Sequence, residues 1–230
     1  MFYYGYDPTY ILVLIGFLIT LIAQIFVSSS YHKYKKVNTK SGLQGFEVAR
    51  KILDSNGLQN IDIVETKGEL TDHYDPTRKV VRLSTDIYHG STVASNSVAA
   101  HECGHAVQDK EGYFFLRLRA SLVPIVNFST KAGYFAILIG LLFGFLELAW
   151  IGIFLELTIL LFQLITLPVE LNASKRAAEF LKKEALIEEK EQVGSKRMLR
   201  AAAMTYVASV LATILEIFRL LLIVSSRDDN

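Results

Sequence analysis

The chain has 230 residues, of which 51% are hydrophobic and 20% are charged, and its formal net charge at pH 7 is +1. A net charge so close to zero gives no indication of a nucleic-acid partner. The single cysteine, Cys103, excludes an intrachain disulfide.

The first predicted element is a membrane anchor over residues 1–30. Residues 9–27 form an uncharged apolar run, and a helix needs about 20 mostly apolar residues to cross a bilayer. No basic segment precedes the run and no small-residue cleavage site follows it. We therefore expect a retained anchor rather than a secretory signal.

Residues 31–122 are polar enough to fold outside the bilayer, and their pattern predicts helices and a small sheet. A helix with apolar residues at helical spacing is expected to end near Gly57. Strands are expected at 61–64, where apolar and polar residues alternate, and at 79–83. We also expect the second strand to offer a sheet edge on which an extended peptide pairs.

The most informative motif is His101-Glu102-Cys103-Gly104-His105. This H-E-x-x-H pattern lies in a segment without proline that is expected to be helical, with Ser91 or Ser95 as its N-cap. Residues four apart share one face of a helix, so both imidazoles can bind one zinc ion, with Glu102 beside the open coordination position. Cys103 points to another face, and we interpret it as a buried packing residue.

Residues 123–168 are predicted to form a membrane hairpin. As a single helix, the apolar run from 132 to 168 would be about 55 Å long, against a hydrocarbon core of about 30 Å. Two short crossings joined near Glu147–Trp150 fit this length better. Two crossings also return the chain to the side of the membrane from which it started.

A second polar helix is predicted over 169–201, and it carries the candidate third metal ligand, Glu170. Catalytic zinc takes three protein ligands and keeps one position for water. Glu170 directly follows an apolar segment, where an acidic residue is costly without a partner. The alternative is a helix N-terminal carboxylate stabilised by the macrodipole. Together with His101 and His105, Glu170 predicts one zinc ion per chain.

The last predicted element is a transmembrane helix over 202–230, interrupted by Glu216 and Arg219. Of the 24 lysines and arginines, 14 lie in 28–131 and 8 in 170–200. Loops rich in these residues stay in the cytoplasm. We therefore expect a multi-pass protein of the cell membrane, with the motif on the cytoplasmic side and both termini outside.

Two further groups of residues support weaker hypotheses. A zinc-binding H-E-x-x-H helix is typical of metalloproteases, and peptide hydrolysis calls for a donor that stabilises the oxyanion. The candidates are Tyr206, His73 and Arg176. Acidic residues within spans can mark an ion path, which makes Glu156 and Glu216 the basis of an alternative hypothesis, a transporter. Glu216 is also expected to pair with Arg219, three residues on in the same helix, whereas Glu156 has no assigned role.

Three stretches of the sequence carry a resemblance to a known family. They are His73–Pro76, Ala99–Ala106 and Pro168–Ser174. The chain resembles the YugP-like neutral zinc metallopeptidases, bacterial membrane proteins related to the HtpX and Ste24 type of membrane gluzincin. The resemblance covers nearly the whole chain and implies a zinc endopeptidase working on the cytoplasmic side. It implies His101, His105 and Glu170 as ligands. It also implies Glu102 as the general base.

One departure from the related proteins concerns the support of the metal ligands. HtpX-type relatives usually carry an aspartate four residues after the ligand glutamate, and this chain has Ser174 there. A carboxylate that orients a ligand histidine is therefore missing or supplied from elsewhere.

We therefore expect a mostly α membrane protein with about four transmembrane helices and a small zincin-like α+β cytoplasmic domain that carries the HExxH helix. The expected function is that of a membrane-bound zinc metalloendopeptidase with Glu102 as general base. Its expected partners are a peptide or membrane-protein substrate and the lipid bilayer. The alternative from another class is a non-catalytic, zinc-containing membrane scaffold. The sequence predicts neither the substrate nor the oligomeric state.

Overall fold

The computed structural model describes residues 8–228, and within this range the chain is mostly helical with one small sheet. Its helices are α1 (Tyr10–Tyr34), α2 (Gly45–Ser55), α3 (Thr85–His89), α4 (Val93–Lys110), α5 (Phe114–Phe143), α6 (Leu146–Lys183) and α7 (Glu189–Asp228). Its strands are β1 (Asp62–Thr66), β2 (His73–Asp75) and β3 (Val80–Ser84). The outer ends of the predicted segments 1–30 and 202–230 lie outside the described residues.

Four of the described helices, α1, α5, α6 and α7, are long and apolar enough to cross a membrane. This number confirms the prediction of about four transmembrane helices. Large apolar side chains such as Phe17, Phe128 and Phe154 are exposed on them. Such a surface is stable where the surrounding solvent is lipid, because hydrocarbon tails are as apolar as the side chains themselves.

The hairpin of α5 and α6 turns earlier than the sequence suggested. The turn lies at Gly144 and Phe145, ahead of the predicted position near Glu147–Trp150. Gly144 has a φ of +75°, a left-handed conformation that glycine adopts without the steric cost other residues incur. Glycine, rather than the charge at Glu147, is therefore the local feature that ends α5.

Helix α6 is longer than predicted because it continues through Pro168 to Lys183. A proline within a helix removes one backbone hydrogen bond, and membrane helices tolerate this loss. The separate polar helix expected over 169–201 is instead the end of α6, a turn and the start of α7. Glu170 consequently lies inside a helix, which excludes the alternative of a helix N-terminal carboxylate.

The sheet has the order β1–β3–β2, with β1 parallel and β2 antiparallel to β3. Both edges of β3 are thus hydrogen-bonded, and the prediction that residues 79–84 offer a free sheet edge is wrong. β2 is an edge strand instead. With only three residues it is too short to show the alternation by which strands are found in a sequence.

The described residues divide into two compact units. The membrane unit comprises 8–24, 118–166 and 205–228, and the motif unit comprises 25–117 and 167–204. The core of the motif unit contains buried apolar side chains from α2, β3, α4 and α6, among them Ile52, Leu83, Val107 and Leu181. The smaller core of the membrane unit includes Ile153, Ile217 and Leu220.

Charged residues of the membrane unit share one cavity of about 350 Å³. Glu216 accepts a hydrogen bond from Arg219 at 3.0 Å, which confirms the predicted pair. Glu156 lines the same cavity, together with Arg227. Two acidic and two basic residues therefore lie near one another, as expected for charges within apolar helices.

Candidate metal centre

Helix α4 presents the two histidines of the motif from one face. Its N-cap is Thr92, whose hydroxyl accepts a hydrogen bond from the Ser95 backbone nitrogen at 3.1 Å, so neither Ser91 nor Ser95 is the cap. The rings of His101 and His105 have centroids 4.8 Å apart and are nearly perpendicular. The four-residue spacing thus produces a facing pair of imidazoles.

Helix α6 places the Glu170 carboxylate between these imidazoles. Glu170 Oε2 lies 3.3 Å from His101 Nε2 and 3.5 Å from His105 Nε2, and the residue is only 4% exposed. Ligand atoms held by one tetrahedral zinc ion lie roughly 3.4 Å apart. The two distances from Glu170 match this spacing, and all three donor atoms lie within 4.8 Å of one another and are of types that bind zinc.

The close approach of α6 to α4 depends on Gly104. A Cβ atom at this position would lie 2.8 Å from the carbonyl oxygen of Ala173, closer than packed atoms come. Ala173 is itself fully buried. Glycine within the motif thus lets the helix that carries Glu170 reach the helix that carries the histidines.

Cys103 lies on another face of α4 and is fully buried. Its thiol is 3.6 Å from the carbonyl oxygen of Ala49 on α2. Burial raises the pKa of the Cys103 thiol, which keeps the sulfur protonated and unreactive. The prediction of a buried packing residue is confirmed.

Gln108 orients His105 through the second ring nitrogen. Gln108 Oε1 lies 3.0 Å from His105 Nδ1. The Gln108 amide nitrogen donates to Val169 O at 2.8 Å and to Asn172 Oδ1 at 2.9 Å, which leaves the amide oxygen to accept from the imidazole. His105 then carries its proton on Nδ1, and the Nε2 lone pair is free to bind a metal.

Ser174 contacts the second ring nitrogen of His101, as Gln108 does for His105. Its hydroxyl oxygen lies 3.3 Å from His101 Nδ1. The residue that stands where HtpX-type relatives carry an aspartate therefore contacts a motif histidine itself, as a neutral hydroxyl. No sequence rule indicated this contact, which depends on the packing of α6 against α4.

Arg176, one of the oxyanion candidates, contacts Asn172 of the same support. Its Nε donates to Asn172 Oδ1 at 2.7 Å, and its guanidinium also pairs with Glu111 at 2.6 Å. His73, another oxyanion candidate, lies exposed on β2 with its Nδ1 2.8 Å from Thr71 O. The third candidate, Tyr206, belongs to the membrane unit.

A cavity of about 180 Å³ adjoins the histidine pair and is lined by His101 and Glu102. Glu102 is 7% exposed. The remaining wall is largely apolar and also includes two polar residues that the sequence did not single out. The apolar wall residues are Val27, Leu70, Val98, Met198, Leu199 and Ala202, and the polar ones are Tyr31 and Asp72.

The electrostatics of this region favour a cation. Asp72 accepts hydrogen bonds from the backbone nitrogen and hydroxyl of Ser84, yet burial and the charge of Glu102 raise the pKa of Asp72. Burial alone would lower the pKa of His105, but its hydrogen bond to Glu170 and the charge of Glu102 raise that pKa above its ordinary value. Three carboxylates close to two imidazoles thus give the centre a negative field.

Comparison with known proteins points to the same chemistry. Residues 9–225 match the family described as "Putative neutral zinc metallopeptidase". The chain is 46% identical over 209 residues to "Putative membrane protease YugP" of Bacillus subtilis (strain 168), covering 90% of this chain and 93% of that protein. No solved structure matches the chain.

Proposed function

Because the chain belongs to the family of neutral zinc metallopeptidases, we propose that it is a membrane-bound zinc metalloendopeptidase. The observation that carries the proposal is the convergence of His101, His105 and Glu170 on one point, with Glu102 in the adjoining cavity. We further propose that α4 and the small sheet form a zincin-like domain on the cytoplasmic side.

The three converging residues would hold one zinc ion per chain. When bound, zinc supplies Lewis acidity, which polarises the scissile carbonyl and lowers the pKa of a water. Ser174 and Gln108 contact the Nδ1 atoms of His101 and His105, respectively, and so orient the Nε2 atoms toward the metal. Glu170 adds a negative charge that partly neutralises the cation.

Glu102 is the general base of the proposed reaction. It accepts a proton from the attacking water as the oxygen bonds to the scissile carbonyl carbon. It then delivers that proton to the amine nitrogen as the carbon–nitrogen bond breaks. The buried position of Glu102 keeps bulk water away, which strengthens its interaction with the reacting groups.

The edge strand and the cavity suggest how a peptide binds. Asp72 lines the cavity and directly precedes β2, the edge strand. An extended peptide can add to such an edge through main-chain hydrogen bonds, while a side chain enters a neighbouring pocket. The apolar wall favours an apolar residue next to the scissile bond, in a peptide or a membrane-protein substrate.

The charge distribution supports the proposed orientation. The polar stretches 28–131 and 170–200 contain 22 of the 24 lysines and arginines, and such stretches stay in the cytoplasm. Between the motif and Glu170 the chain contains the apolar parts of two candidate spanning helices, α5 and α6. Two crossings return the chain to the same side, so all three proposed ligands lie on that side. Both termini are then outside.

Zinc content and peptide cleavage test the function together. Full-length wild type, Glu102→Gln, Glu170→Gln and the exposed control Glu189→Gln are purified in detergent, and zinc is measured by mass spectrometry. Cleavage is followed with fluorogenic peptides that carry leucine or aspartate at one central position. Wild type, the control and Glu102→Gln should contain one zinc per chain, whereas Glu170→Gln should contain little.

Cleavage should be seen for wild type and the control, with leucine preferred. Glu102→Gln should be slower by about 10²–10⁴-fold, the usual contribution of a general base. Zinc in every protein with cleavage in none would favour the scaffold hypothesis. Unchanged cleavage by Glu102→Gln would contradict the proposed mechanism.

A further inference from the structure

The motif unit has a second cavity whose chemistry differs from that of the metal centre. This basic groove, of about 410 Å³, lies between the end of α6 and the start of α7. Its charged lining consists of Lys175, Lys182, Lys196, Arg200 and Glu179. Four positive charges against one negative charge give the groove a strong attraction for anions.

Three of the cations have no acidic partner within the part of the chain that the structure describes. Lys175 lies 3.9 Å from Glu179, four residues on in α6. Lys182, Lys196 and Arg200 form no ion pair with any described residue, and all three are exposed. Like charges brought together without counter-charges repel one another, so an anion bound among them would stabilise the arrangement.

Apart from Ser174, the rest of the groove lining is apolar and consists of Leu171, Ala178, Leu199 and Ala203. Its position along both helices is equally informative. The apolar run of α6 ends at 168 and that of α7 begins at 202. One end of the groove, at Leu171 and Ala203, therefore adjoins the change from apolar to charged sequence in both helices, and lipid phosphates contact membrane proteins near such changes.

We infer that the basic groove binds an anionic phospholipid. The phosphate contacts Lys182, Lys196 and Arg200, and an acyl chain covers Leu171 and Ala178. An acidic peptide would satisfy the charges, but it would leave the apolar lining without a partner. A phospholipid matches both parts of the surface, and the bilayer supplies it.

The groove also shares lining residues with the surroundings of the candidate metal centre. Ser174 lines the groove and lies 3.3 Å from His101 Nδ1. Leu199 lines both the groove and the cavity beside Glu102. A lipid in the groove would therefore contact residues next to the proposed catalytic site, although its binding does not require that the chain be a peptidase.

Lipid binding is tested on the full chain in a zwitterionic detergent, with added phosphatidylglycerol or phosphatidylcholine. Retained lipid is counted by native mass spectrometry, and the thermal midpoint is measured alongside. The groove variant carries Lys182→Gln, Lys196→Gln and Arg200→Gln. The matched control carries Lys183→Gln, Lys190→Gln and Arg197→Gln, which removes the same residue types from exposed positions outside the groove lining.

Wild type and the control should retain one phosphatidylglycerol and show a raised thermal midpoint, with no such effect from phosphatidylcholine. The groove variant should bind phosphatidylglycerol roughly 100-fold more weakly, since each basic residue near a membrane surface contributes about fivefold. Its thermal midpoint without lipid reports whether it is folded. An arginine version of the two lysine positions should keep binding.

Three results would overturn the inference. The first is equal loss of binding in the control, which would indicate diffuse attraction rather than a groove. The second is displacement of the lipid by inorganic phosphate or by a soluble acidic peptide at similar concentration. The third is undiminished binding by a folded groove variant.

Discussion

Helix α6 contributes residues to both units, and the apolar side chains of its two halves have different surroundings. In the membrane unit, Phe154 and Leu161 are exposed, Leu161 by 50%. In the motif unit, Val169, Ala173 and Leu181 are fully buried. The first half is expected to be solvated by lipid, and the second is enclosed by protein. Hydrophobic sequence alone therefore does not distinguish a span from a core.

The second half differs in the size of its buried residues as well. Ala173 and Ala177 are fully buried beside Glu170, and small side chains let two helices approach closely. A carboxylate on such a face can reach ligands on the neighbouring helix. The candidate metal centre therefore depends on tight packing in one half of α6, whereas the exposed half is expected to tolerate substitution.

The largest expected effect follows from removing a core leucine. Leu181→Ala should destabilise the protein by about 2–5 kcal/mol, because the substitution leaves a cavity in the motif unit. Leu161→Ala on the same helix should cost less than about 1 kcal/mol, since its side chain faces hydrocarbon whether or not the helices are associated. Denaturant titration in detergent micelles measures both. Equal losses would remove the distinction between the two halves.

The next largest effect is expected from a pair of glycine substitutions that tests the packing of α6 against α4. Gly104→Ala should destabilise by about 1–3 kcal/mol, the usual cost of overpacking, and should lower zinc content by separating Glu170 from the histidines. Gly16→Ala is the control from the membrane unit, where the new Cβ would lie 3.5 Å from Ala212, an ordinary contact. The control should be neutral or slightly stabilising. Full zinc in Gly104→Ala would show that the approach of α6 is not limiting.

Gln108, whose amide orients His105, should contribute less to the free energy of unfolding than to zinc affinity. Gln108→Ala should weaken zinc binding by about 10–100-fold, as is typical for groups that orient a ligand histidine. The exposed amide variant Gln59→Ala serves as its control. Competition with a chromophoric zinc chelator measures the affinity, and an unchanged value in Gln108→Ala would contradict the role assigned to the amide.

The smallest effect is expected at Ser174. Its 3.3 Å contact to His101 is long, so Ser174→Ala should weaken zinc binding by less than about tenfold. Ser174→Asp should strengthen it, because a carboxylate makes the imidazole a more basic ligand. The same chelator competition applies, and weaker binding in the aspartate variant would show that the hydroxyl is the better partner here.

Local patterns were sufficient for much of the fold. Apolar runs indicated four spans, and the spacing of His101 and His105 indicated their shared face. An acidic residue beside an apolar segment requires a partner, and this rule together with the family resemblance indicates Glu170. These features depend on the chemistry of neighbouring residues in one stretch, which a sequence displays directly.

The features that the sequence did not predict depend on contacts between distant stretches. β2 pairs with β3 and makes it the central strand, but β2 is too short to show a pattern, so the sequence alone predicts β3 as an edge. Asp72 reaches the cavity only through the pairing of β2 with β3. Gln108 and Ser174 each contact a motif histidine because α4 and α6 pack together, and no local signal marks either residue.

The burial of Cys103 has a practical consequence for experiments on orientation. A thiol enclosed between α4 and α2 should not react with maleimides in the folded protein, and it is the only native thiol in the sequence. The wild-type chain is thus already a cysteine-silent background. A single cysteine introduced at an exposed position such as Lys183 or Phe145 would be the sole labelled site. Membrane-impermeant reagents applied to intact cells would then report, one loop at a time, which end of each hairpin faces the medium.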